Sequence, residues 1–191
     1  MLKFIRRALA GERADSSRKA GALPPDAFFG GAYRPHAAED VGRFTALAAA
    51  AFPNFSRRIT CFGADWLGRQ FAEDEERLVG GERQILMLEP GTGEVLELPT
   101  SLSNFQTLLI QEPDAVACVS FFRAWIDAGG AVPGYEQCVG YRRPLYLGGE
   151  DDVPNLELSD FEVYWHISAQ LLDQVRGLPP GSKISNVTVG H

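Results

Sequence analysis

The sequence predicts an α+β fold in which a mainly antiparallel sheet packs against helices. Two observations carry this prediction. The strand-like segments are joined by short turns instead of crossover helices, and the segments with helical periodicity lie before and after this group of strands. We expect about five to six hairpin-connected strands, three to four helices and a long C-terminal helix. A chain of 191 residues with 45% hydrophobic content can bury a large core.

The first half of the chain is predicted to hold one helix and an antiparallel meander. The helix spans about 37–52 and stops at Pro53. Four strands follow, with Gly80-Gly81 between the two pairs and turn residues inside each pair. The predicted strands are 58–63, 69–72, 84–89 and 94–98.

The second half is predicted to return to helices. Thr100 or Ser101 can cap a helix that runs to about residue 110, and Asp114 can cap another over 115–128. A strand over about 137–147 and a short extended piece at 155–157 then lead into the C-terminal helix.

Start and stop signals define the C-terminal helix. Ser159 and Glu162 have the spacing of a capping box, and Leu158 and Val163 the spacing of a hydrophobic staple. Gly177 and the two prolines after it are typical of a helix end. Apolar and small residues recur at helical spacing and predict one buried face: Phe161, Tyr164, Trp165, Ser168, Leu171, Leu172 and Val175.

Cysteine use and charge constrain the class of protein. Cys61, Cys118 and Cys138 are widely spaced in apolar contexts, which predicts reduced core thiols and fits a cytoplasmic protein. No apolar run approaches the roughly 18 residues that cross a bilayer. The net charge is −7, but residues 1–20 carry six basic and two acidic residues, a balance of +4, so the rest carries −11. An acidic body disfavours nucleic-acid binding and favours a basic partner, although acidity alone can also serve solubility.

The sequence offers no plausible catalytic, metal or cofactor site. Glu162 and His166 are four residues apart, but Glu162 has a capping role and no third ligand is at hand, so we expect a solvent-facing pair. Gly91 to Gly93 and Gly148-Gly149 lack the strand, helix and lysine of a phosphate-binding loop. We therefore predict no enzyme activity, no metal and no cofactor.

Two kinds of segment are candidates for binding a partner. Asp65 and Arg69 flank a turn with Trp66 between them, which can present an aromatic anchor or form a turn-closing ion pair with Trp66 in the core. Two acidic runs are solvated loops, oxygen-rich calcium sites or a negative patch that holds a basic protein. These runs comprise Glu73, Asp74, Glu75 and Glu76, then Glu150, Asp151 and Asp152 with Glu157 and Asp160 after them.

Several blocks of the chain resemble a known family, the bacterial immunity proteins with a GAD-like domain and a small C-terminal domain, which are associated with type VI secretion DNase effectors. The matching blocks are CFGADWLGRQFA at 61–72, LMLEPGTGEVLELP at 86–99, FFRAWIDAGG at 121–130 and QCVGYRRPLYLGGEDDVPNLELSDFEVYWHISAQLL at 137–172. The basic first 20 residues lie outside the resemblance.

The resemblance implies an antitoxin that binds and blocks a co-produced nuclease in the cytoplasm. It implies a GAD-like domain over 22–112 and a small C-terminal domain over 113–191. From its composition, the basic segment 1–21 is expected to be a flexible tail or a short helix. The toxin-binding residues are predicted from charge and from the Trp66 turn: Glu73, Asp74, Glu75, Glu76, Glu150, Asp151, Asp152, Glu157, Asp65 and Trp66. Occlusion of the toxin and distortion of it are both compatible with the sequence. The alternative is a scaffold module held near a membrane by its basic N-terminus. The sequence leaves the oligomeric state open.

Overall fold

The α+β class is confirmed by the computed structural model, which describes Pro24, residues 26–178 and Gly190. Within these residues there are a five-stranded antiparallel sheet, a two-stranded antiparallel sheet and five α-helices. The strands are β1 (Tyr33–Pro35), β2 (Ile59–Asp65), β3 (Gln70–Val79), β4 (Glu82–Glu89), β5 (Glu94–Ser101), β6 (Gln137–Tyr141) and β7 (Leu156–Asp160). The helices are α1 (Val41–Ala51), α2 (Leu102–Gln111), α3 (Pro113–Ala117), α4 (Val119–Asp127) and α5 (Phe161–Val175).

The large sheet follows the chain, in the order β1-β2-β3-β4-β5, with every neighbouring pair antiparallel. The predicted hairpin at residues 90–93 joins β4 to β5, and Gly80-Gly81 forms the turn between β3 and β4. β6 and β7 form the second sheet. The hairpin-connected meander is therefore confirmed.

Both faces of the large sheet are covered, which explains its apolar strands. In β4, Leu86 and Leu88 belong to a cluster with helices α1 and α5, whereas Ile85 and Met87 belong to a cluster with helices α2, α3 and α4. Successive side chains of a strand point to opposite faces, so the two clusters lie on opposite sides of the sheet. Each cluster combines residues from before and after residue 112, such as Phe44 with Trp165.

The structure has one strand and one helix that the sequence does not predict. β1 has three residues, ends in a proline and was not predicted. The helix predicted over 115–128 is divided at Cys118, whose φ is +45°. The carbonyls of Val116 and Ala117 accept side-chain hydrogen bonds from Arg69 (3.1 Å) and Trp66 (3.1 Å), which stabilises the interruption.

Asp114 caps the second of these helices instead of the first. Its carboxylate accepts hydrogen bonds from the Ser120 backbone N–H at 2.6 Å and the Ser120 hydroxyl at 3.0 Å. These bonds lower the pKa of Asp114.

Two predictions near the C-terminus are also wrong in detail. β6 ends at Tyr141, not near residue 147, because the chain turns away to bind the Gly91 carbonyl through the Leu145 N–H at 2.9 Å. The N-cap of α5 is Asp160, whose carboxylate accepts the Val163 N–H at 3.0 Å. Ser159 cannot serve as the cap because it is paired with Cys138 in the β6–β7 ladder. The predicted buried face of α5 is confirmed from Phe161 to Leu172.

The remaining expectations concern the cysteines, the basic N-terminal segment and membrane crossing. Cys61, Cys118 and Cys138 are free thiols, and Cys61 and Cys138 are buried. The basic segment 1–20 lies outside the described residues. Across the described part of the chain, no helix is long and apolar enough to cross a membrane.

Candidate partner-binding surface

The acidic loop is the connection between β6 and β7, and it presents Glu150, Asp151 and Asp152 to solvent. Glu157 follows on β7 and Asp160 at the start of α5, and both are exposed. Five exposed carboxylates therefore lie within eleven residues of the chain. The sequence predicts four of them as partner-binding residues, and all four are exposed.

The acidic loop is held by its own hydrogen bonds. The Asn155 side-chain amide donates to the carbonyls of Arg143 (2.9 Å) and Glu150 (2.8 Å) and accepts the Arg143 N–H (3.0 Å). Gly149 is packed so closely that an added Cβ would lie 1.9 Å from the Arg143 carbonyl oxygen. The loop thus holds its carboxylates on a defined backbone.

Two of the loop carboxylates also bind internal donors. The Tyr141 hydroxyl donates to Asp151 at 2.6 Å, and burial together with this bond raises the pKa of Tyr141. Asp152 accepts the Asn155 N–H at 3.2 Å and caps the 3-10 helix Val153–Asn155. Each carboxylate has a second oxygen, so both remain able to bind a cation from solvent.

The acidic run at 73–76 lies in a different setting. It was predicted as a loop, but the structure places it inside β3, opposite Ile59 and Thr60 of β2 and Ile85 and Gln84 of β4. Asp74 is fully buried and forms ion pairs with Arg58 and Arg77. Strand pairing therefore buries part of the run that the sequence assigned to solvent.

Arginines also pair with the exposed members of this run. Glu75 lies 3.1 Å from Arg83, and Glu76 pairs with Arg58. Arg77 contacts Glu97 on β5 at 2.9 Å. Glu73 is half-buried, and burial raises the pKa of its carboxyl group. The cluster around β3 is a network of paired charges, in contrast to the acidic loop.

Asp65 and Trp66 are buried, so the second of the two readings of this turn is observed. Asp65 accepts hydrogen bonds from the Arg69 backbone N–H (2.9 Å) and the Arg69 side chain. Trp66 is fully buried and donates to the Ala117 carbonyl. Burial raises the pKa of Asp65 and the Arg69 guanidinium opposes this shift. These residues offer no accessible surface to a partner.

Three exposed apolar residues follow the acidic loop in the chain and were not predicted as surface residues. Leu158 on β7 is 39% exposed, and Val163 and Ile167 on α5 are 53% and 37% exposed. Val163 and Ile167 are four residues apart and so share one helix face. Val163 and Ile167 lie outside the predicted buried face of α5, and this position was the signal of their exposure. The staple expected between Leu158 and Val163 predicted a contact between those two residues instead.

Other candidates are less suited to a binding site. Glu162 and His166 form the expected solvent-facing pair, with 3.4 Å between His166 Nε2 and the Glu162 carboxylate.

A cavity of about 470 Å³ lies between the ends of α1 and α5 and the β4–β5 turn. Its lining is mainly apolar, and its Arg176 is bound to Asp173 and the Ala51 carbonyl. No group of His, Cys, Asp and Glu side chains in the described ranges could hold a metal ion.

Comparison with known proteins now relates this surface to a family. Residues 101–172 match the family model of the type VI secretion immunity protein Tdi1, C-terminal part. The resemblance to type VI secretion immunity proteins is thereby confirmed over these residues, which include β6, the acidic loop, β7 and most of α5. No curated protein matches the chain.

A solved structure shares the fold. It is the crystal structure of Atu4351 from Agrobacterium tumefaciens, with a TM-score of 0.51 and 16% sequence identity. The alignment covers 74% of this chain and 67% of that chain. At this identity the similarity concerns the fold alone.

Proposed function

We propose that the protein is an immunity protein that binds and neutralises a nuclease toxin, a DNase, in the cytoplasm, and that it does so without enzymatic activity. The match of residues 101–172 to the Tdi1 family model supports an immunity role and a toxin protein as partner. The choice of a nuclease comes from the resemblance of the sequence blocks to immunity proteins of DNase effectors, and the charge of the protein supports it.

The observation that carries the proposal is the acidic loop inside the matched segment. Its carboxylates are exposed and its backbone is fixed by Asn155. Nucleases bind phosphates through basic surfaces. A preformed negative surface speeds encounter with such a partner and favours it over acidic ones.

The proposal extends to the organisation of the chain. Residues 22–112 would form the GAD-like domain and residues 113–191 the small C-terminal domain, with the toxin bound through the second. The β3 carboxylates Glu73, Asp74, Glu75 and Glu76 would play a secondary part at most, because arginines already pair with three of them. Occlusion of the nuclease cleft and distortion of the toxin both fit this arrangement.

The test is co-expression with a catalytically inactive form of the nuclease encoded beside this protein. We expect a stable complex on size exclusion, weakened by raised salt, and protection of cells that express the active nuclease. A neighbouring nuclease that neither binds nor is blocked would contradict the proposal. A complex whose affinity does not depend on salt would contradict the assignment of the acidic loop as the binding surface.

A further inference from the structure

We propose that β7 accepts an extended, basic strand of a protein partner, which adds to the β6–β7 sheet as a third strand. The inference rests on the proposed function in one respect, since it takes the toxin to be that partner. It specifies how the partner is held: by backbone hydrogen bonds along β7 and by the carboxylates beside it. Strand addition to an open sheet edge is a common mode of peptide recognition.

The register of the ladder shows that β7 has an open edge. The Arg142 N–H donates to the Asn155 carbonyl (2.8 Å), and the Phe161 N–H donates to the Glu136 carbonyl (2.9 Å). Hydrogen-bonded and non-hydrogen-bonded pairs alternate along an antiparallel ladder. Between these two bonds, Val139–Leu158 and Gln137–Asp160 are therefore non-hydrogen-bonded pairs.

A contact on the far side of β6 confirms this register. The Val139 N–H points away from β7 and donates to the Trp66 carbonyl at 2.7 Å. Its partner Leu158 must then direct both its N–H and its carbonyl away from β6. Asp160, two residues further along β7, directs its N–H the same way. Within the described part of the chain, β7 pairs with β6 and with no other strand, so these groups form an open edge.

The other exposed sheet edges are protected in ways that β7 is not. β1 has three residues and ends in Pro35, and β5 contains Pro99 and a register shift opposite β4. Proline and irregular pairing block the addition of a strand. β7 has neither of these features, so it is the edge most open to a partner.

Charge around β7 selects the occupant. Glu157 and Asp160 flank Leu158, and Glu150, Asp151 and Asp152 precede the strand. Arg142 faces Glu157 at 3.7 Å, where both side chains are more than half exposed, which leaves the edge acidic overall. A second copy of β7 would bring like charges together. A strand with lysine or arginine gains attraction from them, and its apolar residues can cover Leu158 and Val163.

A peptide experiment tests the edge without the toxin. An eight-residue peptide of alternating lysine and valine is titrated into the isotopically labelled protein, with an alternating glutamate and valine peptide as control. We expect the lysine peptide to shift the amide resonances of Leu158, Ser159 and Asp160, and the glutamate peptide to shift them far less. Equal effects of both peptides, no effect, or concentration-dependent shifts without peptide would overturn the proposal.

Two variants separate the backbone from the side chain. Leu158→Pro removes an outward N–H and spares the β6–β7 ladder, whereas Leu158→Ala shortens the same side chain and keeps the N–H. We expect the proline variant to bind roughly three- to tenfold more weakly than the alanine variant, as loss of one backbone hydrogen bond implies. Equal binding by two folded variants would contradict strand addition.

Amide exchange in the toxin complex keeps the test open if Leu158→Pro does not fold. In the unmodified protein the Leu158 and Asp160 amides should exchange fast when free and slowly in the complex. Fast exchange in a stable complex would overturn strand addition and leave the immunity role intact. Failure of any nuclease complex, with a positive peptide result, would overturn the immunity role and leave the basic-strand site.

Discussion

The two acidic segments of this protein have similar sequences and opposite settings. Residues 73–76 lie in β3, where Asp74 is buried and arginines pair with its neighbours. Residues 150–152 lie on a loop whose hydrogen bonds fix the backbone and leave the carboxylates in solvent. The comparison shows that local charge density does not identify a binding surface. The distribution of arginines in space decides which carboxylates remain available.

Loss of the Asp74 carboxylate should have the largest effect on stability. Asp74→Ala leaves Arg58 and Arg77 without their buried acceptor. Because both arginines keep some contact with water, we expect a loss of about 2 to 3 kcal/mol in the free energy of unfolding, somewhat less than the roughly 3 to 5 kcal/mol of a fully buried pair. Urea denaturation measures this. Unchanged stability would mean that the β3 network is not structural, and the contrast between the segments would fail.

The pH dependence of the free energy of unfolding can be used to compare the two acidic segments only after the contribution of His36 is removed. His36 is buried, stacks on Phe44 at 3.8 Å and contacts Gln70 at 3.2 Å. Burial, with Arg34 and Arg43 nearby, lowers its pKa to about 3. The unfolded chain therefore takes up a proton near pH 6.5 that the folded chain does not, and stability falls as pH drops from about 6.5 towards 3.

The expected size of the His36 effect at pH 5 is about 2 kcal/mol relative to pH 7. Unfolding of the parent protein and of His36→Gln at both pH values measures it. The variant should lose less stability on acidification. If parent and variant lose the same amount, the assignment to His36 is wrong.

Asn155→Ala should disturb the acidic loop and leave β3 unaffected. The side chain of Asn155 makes three hydrogen bonds to the loop backbone. The site is partly exposed, so we expect a loss of about 1 kcal/mol and faster amide exchange of residues 148–152. Asn155→Asp keeps the acceptor for the Arg143 N–H but sets a charged oxygen against the carbonyls of Arg143 and Glu150, so it should lose at least as much stability. Exchange rates unaltered by Asn155→Ala would show that the loop is held by other contacts.

The smallest effect is expected at the exposed edge of the β3 cluster. Glu76 is 65% exposed although it pairs with Arg58. Exposed ion pairs contribute little, so Glu76→Ala should change the free energy of unfolding by less than about 0.5 kcal/mol. Thermal denaturation beside Asp74→Ala gives the comparison. A loss as large as that of Asp74→Ala would show that the paired charges around β3 stabilise the fold as one cooperative network.

The sequence predicted the elements that depend on local signals and missed those set by contacts distant in the chain. The meander and the buried face of α5 follow from turn residues and periodicity. The break at Cys118 could not be predicted, because it depends on Trp66 and Arg69 binding carbonyls some fifty residues away. The N-cap of α5 shifted to Asp160 because strand pairing holds Ser159.

The candidate site shows the same division. The acidic loop could be predicted from composition, and its exposure agrees with that prediction. The arginines that pair with the β3 carboxylates come from residues 58, 77 and 83, and their partners are set by strand register. The open edge of β7 likewise depends on which pairs of the β6–β7 ladder share hydrogen bonds, and the sequence alone does not contain that register.

The central claim is that the acidic loop, and not the β3 cluster, binds the toxin. The most direct test compares two triple variants with the same change in charge: Glu150, Asp151 and Asp152 to lysine, and the exposed Glu75, Glu76 and Glu97 to lysine. Calorimetric titration with the inactive nuclease measures both affinities. We predict a loss of about 10- to 100-fold for the loop variant and less than about threefold for the β3 variant. Equal losses, or a larger loss for the β3 variant, would contradict the account.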